Sequence, residues 1–355
     1  MKQKYYRLDR IKKVDAEYNM LLGERSNGKS YAVKENALID AWDNGELFIY
    51  LRRWQLETKA NIVESYFADA PVTAITSGKC NCISVYRNEC FFANMDESGT
   101  ITRIKKCGRV MYLSGAEHYK SMSFPNFSNI IFEEFITNGG YLYNETKLLF
   151  DIVSTVARRR SIKVWLIGNT ISRLCPYFSE WDLRNIPKQQ QGTIEVYEHH
   201  TDQIDDNGQP ITIKIAVEFC ENSGNNSKMF FGNSQKMITS GAWETHPQPH
   251  LPKKYGEYKK LYSILLEHNN FAYIIDVLKD EHLLLYVYPF TYKGKKPRRV
   301  ISETFTTNPF CTPRLTELCK GDKIIMELVK SGKICYSDNL TGSEFLSILK
   351  EKGGL

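Results

Sequence analysis

The chain has 355 residues, 42% of them hydrophobic and 25% charged, the composition of a soluble globular protein with room for about two domains. A formal net charge of +6 permits a polyanionic partner without naming one, and the longest apolar runs, 271–277 and 283–290, are too short to cross a bilayer. Nine cysteines with no secretory signal speak for reduced thiols in a cytoplasm rather than a disulfide framework, and no membrane partner is expected.

Residues 18–22 read as a strand, a glycine-punctuated loop follows, and a helix is expected from about Lys29 to Trp42. Asp43-Asn44-Gly45 is a stop signal for that helix, and 47–51 is a second apolar strand carrying Arg52 and Arg53 at its end. Between Ala74 and Leu113, alternating segments break at Arg87-Asn88 and Glu97-Ser98-Gly99, which predicts antiparallel hairpins inserted into a parallel scheme. Strand 129–132, a helix from about Asn144 to Arg158 and strand 164–167 continue the alternation. The expected fold over 1–190 is therefore an α/β core with a mostly parallel sheet. Polar runs such as Gln189-Gln190-Gln191 and the proline-rich His246-Pro247-Gln248-Pro249-His250-Leu251-Pro252 mark 191–252 as a small lid and linker. A compact C-terminal α+β domain is expected over 253–355, opening with a helix and continuing with a hairpin of strands 271–278 and 283–290.

Gly23-Glu24-Arg25-Ser26-Asn27-Gly28-Lys29-Ser30 matches GxxxxGK[ST] at the junction of a strand and a helix, where such a loop cradles phosphate. Gly23 and Gly28 let the backbone N–H groups converge, Lys29 neutralises the β/γ oxygens of ATP, and Ser30 is a ligand for Mg²⁺. The apolar strand Asn129-Ile130-Ile131-Phe132 ends in Glu133-Glu134. Glu133 is expected in the Mg²⁺ shell. Glu134 is expected to orient and polarise the attacking water, which requires the chain to leave the strand there, because side chains alternate along it. Asn169, just beyond strand 164–167, is placed to sense the γ-phosphate, or is an asparagine in a turn. Arg158-Arg159-Arg160 ends a helix, where cations complement the dipole; its functional reading is an arginine finger inserted into a neighbouring subunit.

These residues resemble the DNA-packaging ATPases of phi29-like short-tailed phages, relatives of the large-terminase motors among ring-forming P-loop ATPases. The resemblance rests on Leu22 to Arg25 with Gly28 to Ala32, on Phe48-Ile49-Tyr50-Leu51-Arg52-Arg53, and on Phe124-Pro125-Asn126 before Phe132-Glu133-Glu134-Phe135-Ile136. Thr155-Val156-Ala157-Arg158, Asn169 and Pro176-Tyr177-Phe178 follow in order, and Gly332 to Asn339 returns near the end. It covers the first half of the chain well and the remainder faintly. It implies a homo-oligomeric ring of five subunits at the portal vertex of a phage procapsid in the host cytoplasm, packaging double-stranded DNA with ATP and Mg²⁺; a scaffold RNA is left open. It places the trans-acting arginine on Arg158 and matches Lys120 to a lysine that reaches a neighbour's nucleotide. One departure is Glu133, where the family usually carries Asp.

The resemblance further implies an RNase H-like C-terminal domain that has lost its metal ligands. Asp276 and Asp338 lack a third acid on an apolar strand, so no nuclease activity is expected, although Asp280, Glu281 or Glu344 could converge on them. Lys293, Lys295, Lys296, Arg298 and Arg299 crowd one loop, to be read either as a nucleic-acid or portal contact or as a solvated turn. Cys80, Cys82, Cys90 and Cys107 lack the paired spacing of structural zinc. The expected function is an ATP-driven DNA translocase; the alternatives are a nucleotide-gated binding switch and a packaging motor with an active C-terminal nuclease.

Overall fold

The structure, a computed structural model, describes residues 5–137, 140–158, 160–170, 172–204, 208–221, 243, 246–268, 271–291, 297, 299–302, 311–312 and 323–351. The chain folds as two compact units, Met1–Ile171 with Lys188–Ala242, and Ser172–Pro187 with Trp243–Leu355. These divide the chain at other points than its composition suggests.

In the first unit, β1 (Tyr18–Gly23), β2 (Leu47–Arg52), β3 (Cys82–Tyr86), β4 (Glu89–Met95), β5 (Ile101–Tyr112), β6 (Phe127–Glu133), β7 (Lys163–Asn169), β8 (Thr193–Ile204) and β9 (Pro210–Phe219) form one sheet. Its order is β3-β4-β5-β2-β6-β7-β1-β9-β8. The strands from β5 to β9 in that order run parallel, and β3, β4 and β8 are antiparallel edges. Central strands of a parallel sheet are covered on both faces, and all six residues of β1 are buried accordingly. Helix α1 (Asp9–Lys12) precedes β1, and α2 (Lys29–Ile39) follows the glycine loop. A π-helical turn, Asp40–Asn44, ends at Gly45 with φ 71°, the turn expected from Asp43-Asn44-Gly45. Helices α3 (Ala60–Phe67), α4 (Val72–Ile75) and α5 (Glu145–Ala157) complete the unit. The inserted strands β3 and β5 each pair antiparallel with β4, but β5 also pairs with β2, so the insertion is continuous with the sheet.

The segment from 191, whose polar loops suggest a lid, supplies β8 and β9, and β9 pairs with β1 in parallel. Its alternation of exposed and half-buried residues is the pattern of an edge strand, masked in the composition by polar turns.

The second unit holds β10 (Lys259–His268), β11 (Phe271–Lys279), β12 (Leu283–Pro289), β13 (Arg299–Ser302), β14 (Cys311–Thr312) and β15 (Ile334–Tyr336), in the order β14-β13-β10-β11-β12-β15. Three antiparallel strands, β10 to β12, are followed by β13 parallel to β10 and β14 parallel to β13, and β15 pairs in parallel with β12 at the other edge. Helices Lys323–Lys330 and Asn339–Glu351 pack on one face through Ile325, Leu328, Phe345 and Ile348. The helix expected at the start of this domain is instead strand β10: its short run Tyr262-Ser263-Ile264-Leu265-Leu266 carries no decisive period, and pairing with β11 settles it. The proline-rich segment, read as a linker, is docked on this unit. His246 and Gln248 donate backbone N–H groups to Ser343 Oγ and Asn339 Oδ1, and Tyr336 N–H donates to Pro249 O.

Candidate active site

Parallel strands β1, β7 and β6 lie side by side and end at one edge of the sheet. The register sets Gly23 beside Asn169 and Ile167 beside Glu133. The glycine loop, the sensor-position asparagine and the acidic pair therefore share one rim because one strand, β7, separates the other two.

The loop from Gly23 to Ser30 bends through left-handed backbone at Ser26 (φ 61°) and Gly28 (φ 97°). A Cβ on Gly28 would stand 3.4 Å from Tyr6 N, and Tyr6 N–H donates to Asn27 O at 3.0 Å, so the N-terminal segment backs the loop. Lys29 is almost fully buried; its Nζ donates to Glu24 O at 2.6 Å and Asn27 Oδ1 at 3.1 Å. Burial pushes this ammonium below the ordinary lysine range, against the pull of Cys220, Glu133 and Glu24. Asn27 Nδ2 is buried with no hydrogen-bond partner among the described residues. An unmet donor beside a dehydrated ammonium at a helix start is what a bound phosphate would satisfy.

Ser30 Oγ donates to Glu133 Oε1 at 2.5 Å, and Tyr66 OH donates to Glu133 Oε2 at 3.1 Å. Burial raises the Glu133 carboxyl above the usual range, opposed by those two hydrogen bonds and by the Arg52 charge. A desolvated carboxylate against a serine hydroxyl is a donor set that fits Mg²⁺ and its water shell.

β6 ends at Glu133, and Glu134 follows with φ 56°, which turns its side chain out of the strand's alternation. Its carboxylate is exposed and meets Arg52 Nη2 at 2.8 Å. Arg53, next in sequence, is buried and binds Glu145 through Nε at 2.8 Å and Nη2 at 2.9 Å. Arg53 also donates to Glu134 O at 3.1 Å and Phe135 O at 2.7 Å. The end of β2 thus grips the Glu134 segment by side chain and by main chain. Neither role is visible in the sequence beyond two arginines at a strand end, and Tyr66 carries no sequence signal at all.

The remaining expected residues fall as follows. Glu24 is buried and Arg25 exposed on the loop. Arg158 caps α5 in left-handed geometry (φ 39°), is exposed, and donates from Nη2 to Met122 O at 2.7 Å. Lys120 is half-exposed and paired with Glu117 at 2.6 Å and Asp151 at 3.8 Å. Lys293, Lys295, Lys296 and Arg298 lie outside the described residues, whereas Arg299 opens strand β13 rather than sitting in a loop.

Asp276, Asp338 and Glu344 of the second unit are taken by separate internal partners. Asp276 is fully buried and accepts from Tyr255 OH and Ser263 Oγ, both at 2.5 Å, and from Tyr288 OH at 3.2 Å. Asp338 caps the last helix through Thr341, and Glu344 binds Arg173 and Tyr273. Among the described residues, no group of three or more His, Cys, Asp and Glu side chains is arranged to hold a metal, the cysteines included.

The sequence model of the podovirus DNA encapsidation protein (Gp16) family matches residues 1–209. The DNA packaging protein of Bacillus phage phi29 is 30% identical over 186 residues, 51% of this chain and 51% of that protein. That of Bacillus phage B103 is 31% identical over 173 residues, 46% and 47% respectively. The chain spans about half the length of these curated relatives. A solved structure, the bacteriophage phi29 viral genome packaging motor assembly, aligns over 98% of this chain and 99% of its own, with TM-score 0.56 and 21% identity, a likeness of fold.

Proposed function

The chain belongs to the podovirus DNA encapsidation protein (Gp16) family, and from that membership we propose that it is an ATP-hydrolysing motor driving double-stranded DNA into a phage procapsid. The observation that carries this reading is the shared rim: buried Lys29 on the phosphate loop, Ser30 against Glu133, and Glu134 turned out of the strand.

The loop amides and Lys29 would bind the β/γ phosphates of ATP, with Asn27 Nδ2 as a further donor. Mg²⁺, held by Ser30 and through water by Glu133, would neutralise charge on the phosphate oxygens. Glu134 would orient the attacking water once its carboxylate leaves Arg52, so the Arg52 pair is a resting position for the base. Asn169, level with Gly23, would report loss of the terminal phosphate along β7. Arg158, exposed at the end of α5, would serve a neighbouring subunit's site, and Lys120 would have to break from Glu117 to do the same. This requires a ring, proposed here as a pentamer on the portal vertex, with a scaffold RNA as a further partner. The second unit is proposed to act without nuclease chemistry, since its buried acids are already satisfied.

Steady-state ATP hydrolysis by the full chain, with Mg²⁺ and with or without duplex DNA, tests the reading. Stimulation by duplex is expected. A chain that binds ATP but turns it over indifferently to DNA is a switch, not a motor.

A further inference from the structure

The outer edge of the first unit's sheet presents an unbalanced group of cations. Register sets Tyr86 opposite Glu89, Glu89 opposite Arg109, Phe91 opposite Lys106 and Ala93 opposite Arg103, so Arg103, Lys106 and Arg109 share the Tyr86 face of the β3–β5 layer. Tyr86 is 48% exposed, and two guanidinium groups flank its ring, Arg103 at 4.7 Å and Arg87 at 5.1 Å from the centroid. Glu89 is shared between Lys106 at 2.6 Å and Arg109 at 3.4 Å. Arg87 and Arg103 have no acidic partner within ion-pair distance among the described residues, and Arg109 Nε is buried with no hydrogen-bond partner among them. Four cations thus face one carboxylate.

Two arginines gathered on one tyrosine repel each other, and the ring's π-face offsets only part of that repulsion. Planar guanidinium forks bind phosphate oxygens bidentately, and Arg87 and Arg103 present two of them on one exposed ring. A protein partner would need a matching acidic patch, whereas a nucleic-acid backbone offers repeating anions that require only charge and reach. We infer that the Tyr86–Arg87–Arg103 face of the β3–β5 layer is a phosphate-backbone contact for duplex DNA. The inference rests on the reading of DNA as cargo. The surface is joined to the catalytic rim within one sheet, because β5 pairs with β2 up to Tyr112 beside Arg52. A pull on the DNA backbone would therefore bear on the strand that holds Glu134.

The test compares the full wild-type chain with R87Q/R103Q, using a random-sequence duplex at several salt concentrations. The double variant should bind duplex roughly tenfold more weakly, with the slope of log affinity against log salt reduced by about 2. ATP affinity, ATP turnover without DNA and thermal midpoint should be unchanged, which shows that the variant is folded. Wild-type and variant binding duplex alike, with equal slopes, overturns the surface and leaves the motor reading standing. Wild-type chain that binds no duplex overturns both. Loss of self-association in the variant with duplex binding intact assigns the patch to a subunit contact and overturns the inference.

Discussion

Arg52 Nη2 stands 2.8 Å from Glu134 Oε2, so the carboxylate proposed to activate water is held by a guanidinium from the neighbouring strand. Glu57 shares the same nitrogen at 3.2 Å, a second carboxylate contact for Arg52 at the end of β2. In the proposed mechanism this pair must open before Glu134 can orient water.

Arg52→Ala should therefore raise basal ATP hydrolysis and reduce its stimulation by DNA. Glu134 is well exposed, and exposed pairs contribute under about 1 kcal/mol, so the rise should stay within about fivefold. Basal turnover that falls in Arg52→Ala would mean the pair positions Glu134 for catalysis rather than restraining it.

Glu134→Gln and Arg158→Ala should each keep Mg²⁺-ATP affinity and lose turnover by about a thousandfold. Mixing the two should restore part of the activity, since one variant supplies the intact site and the other the intact finger. Absence of rescue at every mixing ratio would confine Arg158 to its own subunit, where its guanidinium already serves Met122 O.

Arg53→Ala should be the most damaging of these substitutions for stability. Both members of the Arg53–Glu145 pair are nearly inaccessible, and removing one leaves a buried charge uncompensated, at a cost of about 3–5 kcal/mol. Arg53→Met with Glu145→Leu should recover a large share of the loss, read as the denaturation midpoint of the full chain. Equal loss in the single and double variants would assign the effect to the Phe135 and Glu134 carbonyl contacts instead.

Asp338→Ala should cost about 1 kcal/mol, because Asp338 accepts from Thr341 N–H at 2.8 Å at the start of the last helix. Partial burial acts to raise this carboxyl, but hydrogen bonds from Thr341 and Ser337 win and hold it below the usual range. A lowered carboxyl stabilises the fold above its unfolded pKa, and that contribution is lost as pH falls through the folded value. Asp338→Asn should keep much of the cap and lose that acid dependence; an unchanged acid unfolding profile in Asp338→Asn would count against the assignment.

The parts of the site that a local pattern encodes were legible in the sequence: Gly23 to Ser30 between strand and helix, and two acids ending an apolar run. Their meeting depends on β7 lying between β1 and β6, which alternation suggests and only register defines. Arg52 with Glu134, and Tyr66 with Glu133, join residues 82 and 67 positions apart, and no local period marks such pairs. The apolar run of β10 is too short to distinguish a helical from a strand period, so its pairing with β11 decides it. The edge hairpin β8–β9 was hidden because half its residues face outward and read as loop.

Strand β9 comes late in the chain yet lies against β1, where Cys220 N–H reaches Leu22 O at 2.8 Å and the Cys220 side chain sits under Gly23. A fragment trimmed near residue 190, where composition invites a cut, would strip the neighbour from the strand that feeds the phosphate loop. It would present a bare row of amides and carbonyls there, inviting self-adhesion in place of nucleotide. Truncations of this chain that keep the glycine loop supported should therefore extend at least through Cys220.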